Sequence, residues 1–140
     1  MEPVLTREEL AEFLDEVFPQ IRGEAEIEAI GPMTARMRLA VAERHLRPGG
    51  TISGPTMFML ADVTFYAAVL AMIGREPLTV TTNLSINFLR KPALRDLVAE
   101  ARLLKLGRTL AVGDATVFSD GDDRAVAHAS VTYAIPQTRA

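Results

Sequence analysis

Cysteine is absent from this chain, which excludes disulfides, thiolate metal sites and a cysteine nucleophile. Histidine is scarce too. With only His45 and His128, and no thiol to assist them, no transition-metal site is expected. Basic excess is also missing: a net charge of −3 and a pI near 5.4 argue against nucleic acid or an anionic membrane as the main partner. The N-terminal "MEPVLTREELAEFLDEVF" carries acids where a secretory signal carries a basic flank, so the expected location is cytoplasmic. No repeat, linker or low-complexity segment is visible, and Ser53 lacks the Gly-x-Ser-x-Gly elbow of a serine nucleophile.

What is present reads as one folded domain over residues 1–140, with 49% hydrophobic and 24% charged residues. A chain of this length buries about two-thirds of its unfolded surface, enough for a core. Residues 1–20 read as an amphipathic helix: Thr6 and Glu9 have capping-box spacing, and Leu10, Phe13, Leu14 and Val17 form one stripe. "AEIEAIGPMTARMRLAV" reads as two strands turning at Gly31-Pro32. A loop rich in Gly and Pro then opens a long apolar helix over 53–73, stopped by Gly74. Strand patterns follow in "LTVTTNLSINFL", "LVAEARLLKL", "TLAVGDATVF" and "AVAHASVTYAI".

That helix is nearly long enough to span a bilayer, but Asp62 near its middle would cost about 2.5–3.5 kcal/mol there. A buried core helix is the better reading. The order predicts an α+β fold, a curved antiparallel sheet of five or six strands wrapped around the central helix. Such a sheet leaves edges uncovered, and pairing with a second copy covers them, so a homodimer is the expected minimum.

Between Pro55 and Ile73, Asp62 is the only charged residue. Pro55 suits a first helical turn, with Gly54 or Ser53 at the cap, and the unpaired N–H groups there suit a negative oxygen. Gly49, Gly50 and Gly54 allow a close backbone approach. Asp62 lies about 12 Å further along the same helix, too far to share one carbonyl with Gly54. Two helices lying antiparallel across a two-fold axis would bring the mouth of one to the acid of the other. Asp62, its pKa raised by apolar surroundings, could then deprotonate water or attack a carbonyl polarised at Gly54. The alternative is that Asp62 only accepts a structural hydrogen bond.

"GGTISGPTMFMLADVTFYAAV", followed by "TTNLSINFLRKPA", resembles the hotdog-fold thioesterases of the PaaI type. The likeness runs over about residues 30–135. It implies hydrolysis of an acyl-CoA thioester, with Asp62 as the catalytic acid and Gly54 as the N–H that polarises the carbonyl. Ser53 stands where the family usually has His, Pro55 where it has a second Gly, and Arg47 where many members have Asn. Thr81 matches a small hydroxyl residue near the acid. Coenzyme A, part of the substrate and not a cofactor, would lie with its phosphates near Arg90, Lys91 and Arg108, while Phe58, Phe65 and Tyr66 would shape the acyl pocket. The implied assembly is a homodimer or a pair of dimers.

Other residues invite weaker readings. His45 could orient the acid, although it lies two positions from the family's slot. His128 shares a strand face with Val126, Ser130 and Thr132, "SDGDD" reads as a hairpin turn, and Met57, Met59 and Met72 fill core space. Besides a thioesterase, two functions stay open: a non-catalytic module binding acyl-CoA or a lipid-like ligand, and a dehydratase. The dehydratase would want a His beside Asp62.

Overall fold

A computed structural model describes residues 1–137. Helix α1 covers Arg7–Val17. Its capping box is closed: Glu9 N–H donates to Thr6 Oγ1 at 3.1 Å and Thr6 N–H to Glu9 Oε1 at 2.9 Å. The expected helix over 1–20 is thus trimmed. Residues before Thr6 lie outside the cap, and Pro19, with no N–H to donate, begins a separate 3₁₀ turn at Pro19–Ile21.

Strands β1 (Ala25–Gly31) and β2 (Thr34–Leu39) form an antiparallel hairpin. The short β3 (Leu46–Arg47) and β4 (Thr51–Ile52) pair across the glycine loop, which turns on Gly49 (φ 98°) and Gly50 (φ 77°). Helix α2 runs Gly54–Ile73 and is followed by β5 (Val80–Phe88), β6 (Leu97–Leu106), β7 (Leu110–Ser119) and β8 (Ala125–Ala134). Ser53 is the cap and not the first helical residue, which moves the expected start by one.

Six strands make one antiparallel sheet in the order β1-β2-β6-β7-β8-β5, and its concave side holds α2. Alternation fixes the faces. Ala35, Met37 and Leu39 of β2 point inward, as do Leu97, Ala99 and Ala101 of β6. Leu60, Phe65, Val69 and Leu70 of α2 are fully buried against them, each side chain contributing about 1.5–3 kcal/mol by leaving water. By length and composition α2 could cross a bilayer. However, 78% of its most apolar window is buried inside the fold, as a core helix requires.

One stripe of α2 escapes the sheet. Pro55, Phe58, Met59 and Asp62, spaced three or four apart, remain exposed or half-buried on one helix face. At the sheet's end, β5 pairs with β8 alone, so its other edge faces no strand among the described residues.

Candidate active site

The mouth of α2 can be read donor by donor. Pro55 has no N–H, Thr56 N–H donates to Ser53 Oγ at 3.2 Å, and Met57 N–H to the Ser53 carbonyl at 3.3 Å. Ser53 N–H itself goes to the His45 carbonyl at 2.8 Å. Among the described residues, Gly54 N–H is therefore the one donor of the first turn left open, at the positive end of the helix dipole. It borders a groove of about 710 Å³ lined by Arg47, Gly54, Met57, Phe88, Arg90 and Lys91, among others. The Phe88 ring lies so close over Gly54 that a Cβ added there would meet Phe88 Cζ at 3.2 Å. Glycine is what lets the aromatic wall approach.

His45 braces this mouth and takes no part in the groove. It is buried, its Nδ1 accepts the Ala42 N–H at 2.9 Å, and Nε2 lies 2.8 Å from Glu24 Oε1. With Nδ1 accepting, the ring proton sits on Nε2 and is donated to Glu24. Hydrogen bonds from His45 first and Arg44 second hold the Glu24 carboxyl below the usual range. The suggestion that His45 orients Asp62 is thus corrected: its ring is already engaged on both nitrogens.

Asp62 is half-buried on the open stripe of α2 and lacks the fully apolar enclosure expected from its neighbours. Its Oδ1 accepts from Thr81 Oγ1 at 2.8 Å and from the Tyr133 hydroxyl at 2.6 Å, while Tyr133 also reaches the Asp62 carbonyl at 3.0 Å. No donor reaches Oδ2 among the described residues. Thr81 and Tyr133 are direct cross-strand partners on β5 and β8, which aims both hydroxyls at one point. A bulge permits this. Thr81 pairs with Tyr133 and Asn83 with Thr132, leaving Thr82 as the extra residue. Thr81, Leu84 and Ile86 consequently share the half-buried face, which strict alternation from Leu84 would deny to Thr81. Burial, then the charge of Asp62, pushes the Tyr133 phenol far above its ordinary value; burial alone raises Tyr66.

The residues singled out in the sequence fall into separate groups. Arg47, Gly54, Arg90 and Lys91 meet in the groove, with Ser53 and Pro55 at its helix mouth. Asp62 and Thr81 form the second group, about two helical turns away along α2, and Phe58 lies between the two on the open stripe. Arg108 belongs to neither: it sits in the β6–β7 turn, its carbonyl accepting from Gln137. Two side chains have fixed duties. The Ser53 hydroxyl caps α2, and the Thr81 hydroxyl is turned to Asp62. Phe65 is fully buried and Tyr66 nearly so, its hydroxyl donating to the Pro77 carbonyl at 3.0 Å. His128 is on the outer sheet face, 3.1 Å from Asp114; Val126 leaves that face because the β7–β8 register shifts beside it. No cluster of metal-ligating side chains exists among the described residues. Tyr133 is the residue the sequence reading passed over. The signal available was an inward-facing tyrosine between Val131 and Ile135, whose buried hydroxyl needs a partner.

A curved sheet around a buried helix, with an open N–H at the helix mouth and a carboxylate on its uncovered stripe, is the hotdog architecture of thioesterases. Comparison with known proteins agrees. The profile of the thioesterase superfamily matches residues 49–126, and the chain belongs to this superfamily. A candidate thioesterase from a Silicibacter species is 59% identical, over 97% of this chain and 95% of that one, with a TM-score of 0.90. A conserved protein of Pseudomonas aeruginosa is 28% identical over 85% of this chain and 94% of its own, with a TM-score of 0.77. The phenylacetic acid degradation protein PaaI of Thermus thermophilus shares the fold at 22% identity, over 84% of this chain and 99% of its own, with a TM-score of 0.73. No functionally curated protein matches the chain. Thioester hydrolysis is the class of chemistry that superfamily membership supports.

Proposed function

We propose that the protein is an acyl-CoA thioesterase working as a homodimer, each site combining the α2 mouth of one copy with Asp62 of the other. The observation that carries this is the division of labour along α2. An open N–H at Gly54 lies at the mouth of α2, and Oδ2 of Asp62, with no protein donor among the described residues, lies on the uncovered stripe about 12 Å further along. A second helix laid antiparallel over the stripe brings each donor to the opposite acid, and the free edge of β5 offers the strand pairing that would hold it there.

The thioester carbonyl oxygen accepts the Gly54 N–H, which with the helix dipole stabilises the negative charge that develops there. Asp62 Oδ2 takes a proton from water, and the resulting hydroxide adds to the carbonyl carbon. The C–S bond then breaks, and the coenzyme A thiolate recovers the proton from Asp62. Arg47, Arg90 and Lys91 give the groove a basic wall suited to coenzyme A phosphates, and Arg108 is a further cation for them if the partner copy brings it near. Phe58 and Phe88 supply apolar walls for the acyl group.

The competing reading is a module that binds acyl-CoA without turning it over. It is favoured by Ser53 and Arg47, which replace the polar residues the family usually has at the mouth, the Ser53 hydroxyl being engaged in capping. A panel of acyl-CoAs, varied in chain length and aromaticity and followed with a thiol-detecting dye, separates the two. Coenzyme A release by wild type, lost in Asp62→Asn, is expected. Binding without release selects the module, and a fully active monomer in sedimentation contradicts the shared site.

A further inference from the structure

We propose that Tyr133 is the positioning residue of the site: with Thr81 it occupies Oδ1 of Asp62 and so makes Oδ2 the one oxygen that reacts. The inference rests on the thioesterase reading above and deepens it. Its first ground is the one-sidedness of the hydrogen bonds. Two hydroxyls converge on Oδ1, at 2.6 and 2.8 Å, and none reaches Oδ2 among the described residues. Oδ2 is not buried without a partner, so it is the oxygen left open on the uncovered stripe, where a ligand or water can reach it.

The second ground is rigidity. Tyr133 is 3% exposed and its ring is held between Phe65, at 5.4 Å, and Tyr66, stacked at 6.0 Å. The phenol cannot swing without breaking that packing. Its hydroxyl also reaches the carbonyl of Asp62 itself, so one donor ties the side chain and the backbone of the same residue together. Asp62 can rotate only by giving up these bonds.

A third point separates positioning from catalysis. Burial, then the charge of Asp62, drives the phenol pKa far up, so Tyr133 stays protonated and acts as a donor only. It neither removes nor delivers a proton in the reaction. The titratable groups around Asp62 are Tyr133 on β8 and, one turn along α2, Tyr66, whose hydroxyl is committed to Pro77; β5 contributes the neutral Thr81.

Tyr133→Phe removes the hydroxyl and keeps the ring. The loss of a rigid anchor is expected to lower kcat by roughly tenfold to a hundredfold, with KM within about twofold, because the phenol lies behind Asp62 and not against substrate. A purely structural tyrosine would lower thermal stability and leave kcat and KM of the folded protein in place. An arm independent of activity and of mutating Tyr133 uses fluorotyrosine, since the chain has only two tyrosines. The fluorine resonance of Tyr133 should shift in Asp62→Asn, where the carboxylate it donates to is gone, and shift more than that of Tyr66, whose hydroxyl donates to Pro77. Wild-type kcat in Tyr133→Phe, or a Tyr133 resonance unmoved by Asp62→Asn, overturns the inference. Binding of acyl-CoA without coenzyme A release by wild type instead overturns the thioesterase reading, and turnover that survives Asp62→Asn overturns Asp62 as its base; in either case the fluorine response still decides whether Tyr133 holds the acid.

Discussion

Gly54→Ala tests the helix mouth with a single methyl group. Gly54 lies in the helical region of backbone space, so alanine fits the main chain without strain, and the helix gains up to about 1 kcal/mol in propensity. Against that, the new Cβ would stand 3.2 Å from Phe88 Cζ and 3.6 Å from its Cε atoms. The ring must yield by a few tenths of an ångström. Phe88 is 52% exposed, at the end of an edge strand, and can tilt outward cheaply. The two effects nearly cancel, so stability should stay within about 1 kcal/mol, or roughly 4 °C in Tm. Activity should not stay level. Removing an oxyanion donor outright costs on the order of a hundredfold to a thousandfold in kcat, and a carbonyl pushed away from Gly54 N–H forfeits part of that, about tenfold or more. The loss should fall on kcat more than KM, because the bond matters most when charge has built up on oxygen. Thermal melts and acyl-CoA hydrolysis on the same preparations measure both quantities. Adding Phe88→Ala tells steric crowding by the ring from obstruction by the methyl, since only crowding is relieved. An unchanged kcat in a well-folded Gly54→Ala protein would refute the assignment of the carbonyl to this mouth.

Other outcomes follow from the same structure. His45→Gln should lower stability by about 1–3 kcal/mol, as Glu24 or the Ala42 N–H loses a buried partner, while the pH profile of activity keeps its shape; a lost limb would restore His45 as an acid–base group. Gly113→Ala should unfold the protein or cost more than about 4 kcal/mol by urea titration, because its Cβ would fall 2.0 Å from the Arg102 carbonyl oxygen on the neighbouring strand. Arg38 joins Glu28, Asp96 and Asp120 across separate elements, and its hydrogen bonds hold Glu28 and Asp120 below their ordinary values of 4.5 and 3.8. Those depressed carboxyls stabilise the fold above the ordinary values and cease to do so as pH falls through the lower folded ones. Arg38→Gln should therefore be less stable than wild type at neutral pH, with the gap closing below about pH 4 in denaturant titrations; a gap constant with pH would refute the linkage.

Sequence and tertiary structure divide the explanation along a physical line. Local signals were legible because their causes are local: the Thr6–Glu9 box, the Ser53-Gly54-Pro55 entrance and the stop at Gly74 each act within a turn of helix. Hydrophobic periodicity likewise separated strands from helices, and a helix apolar on every side could only be wrapped. Asp62 stood out in that helix because a carboxylate among hydrocarbon needs a reason to be there. What surrounds Asp62 was legible only in part: the family resemblance put Thr81 near it, and Thr81 does donate to it, but nothing pointed to Tyr133. Tyr133 is 71 residues away in the chain, and it meets the acid only because β8 is registered against β5 and Thr82 is bulged out between them. Register is a collective outcome of a whole sheet packing on its helix, so no short stretch encodes it. The same holds for the groove, where Arg47 and Phe88, on opposite sides of α2 in the sequence, come together at one helix end. Composition and pattern thus determined the architecture and singled out the acid. That Tyr133 joins Thr81 on that acid, and which of its oxygens stays free, was decided by three-dimensional packing, because hydrogen bonds act over ångströms in space and are blind to distance along the chain.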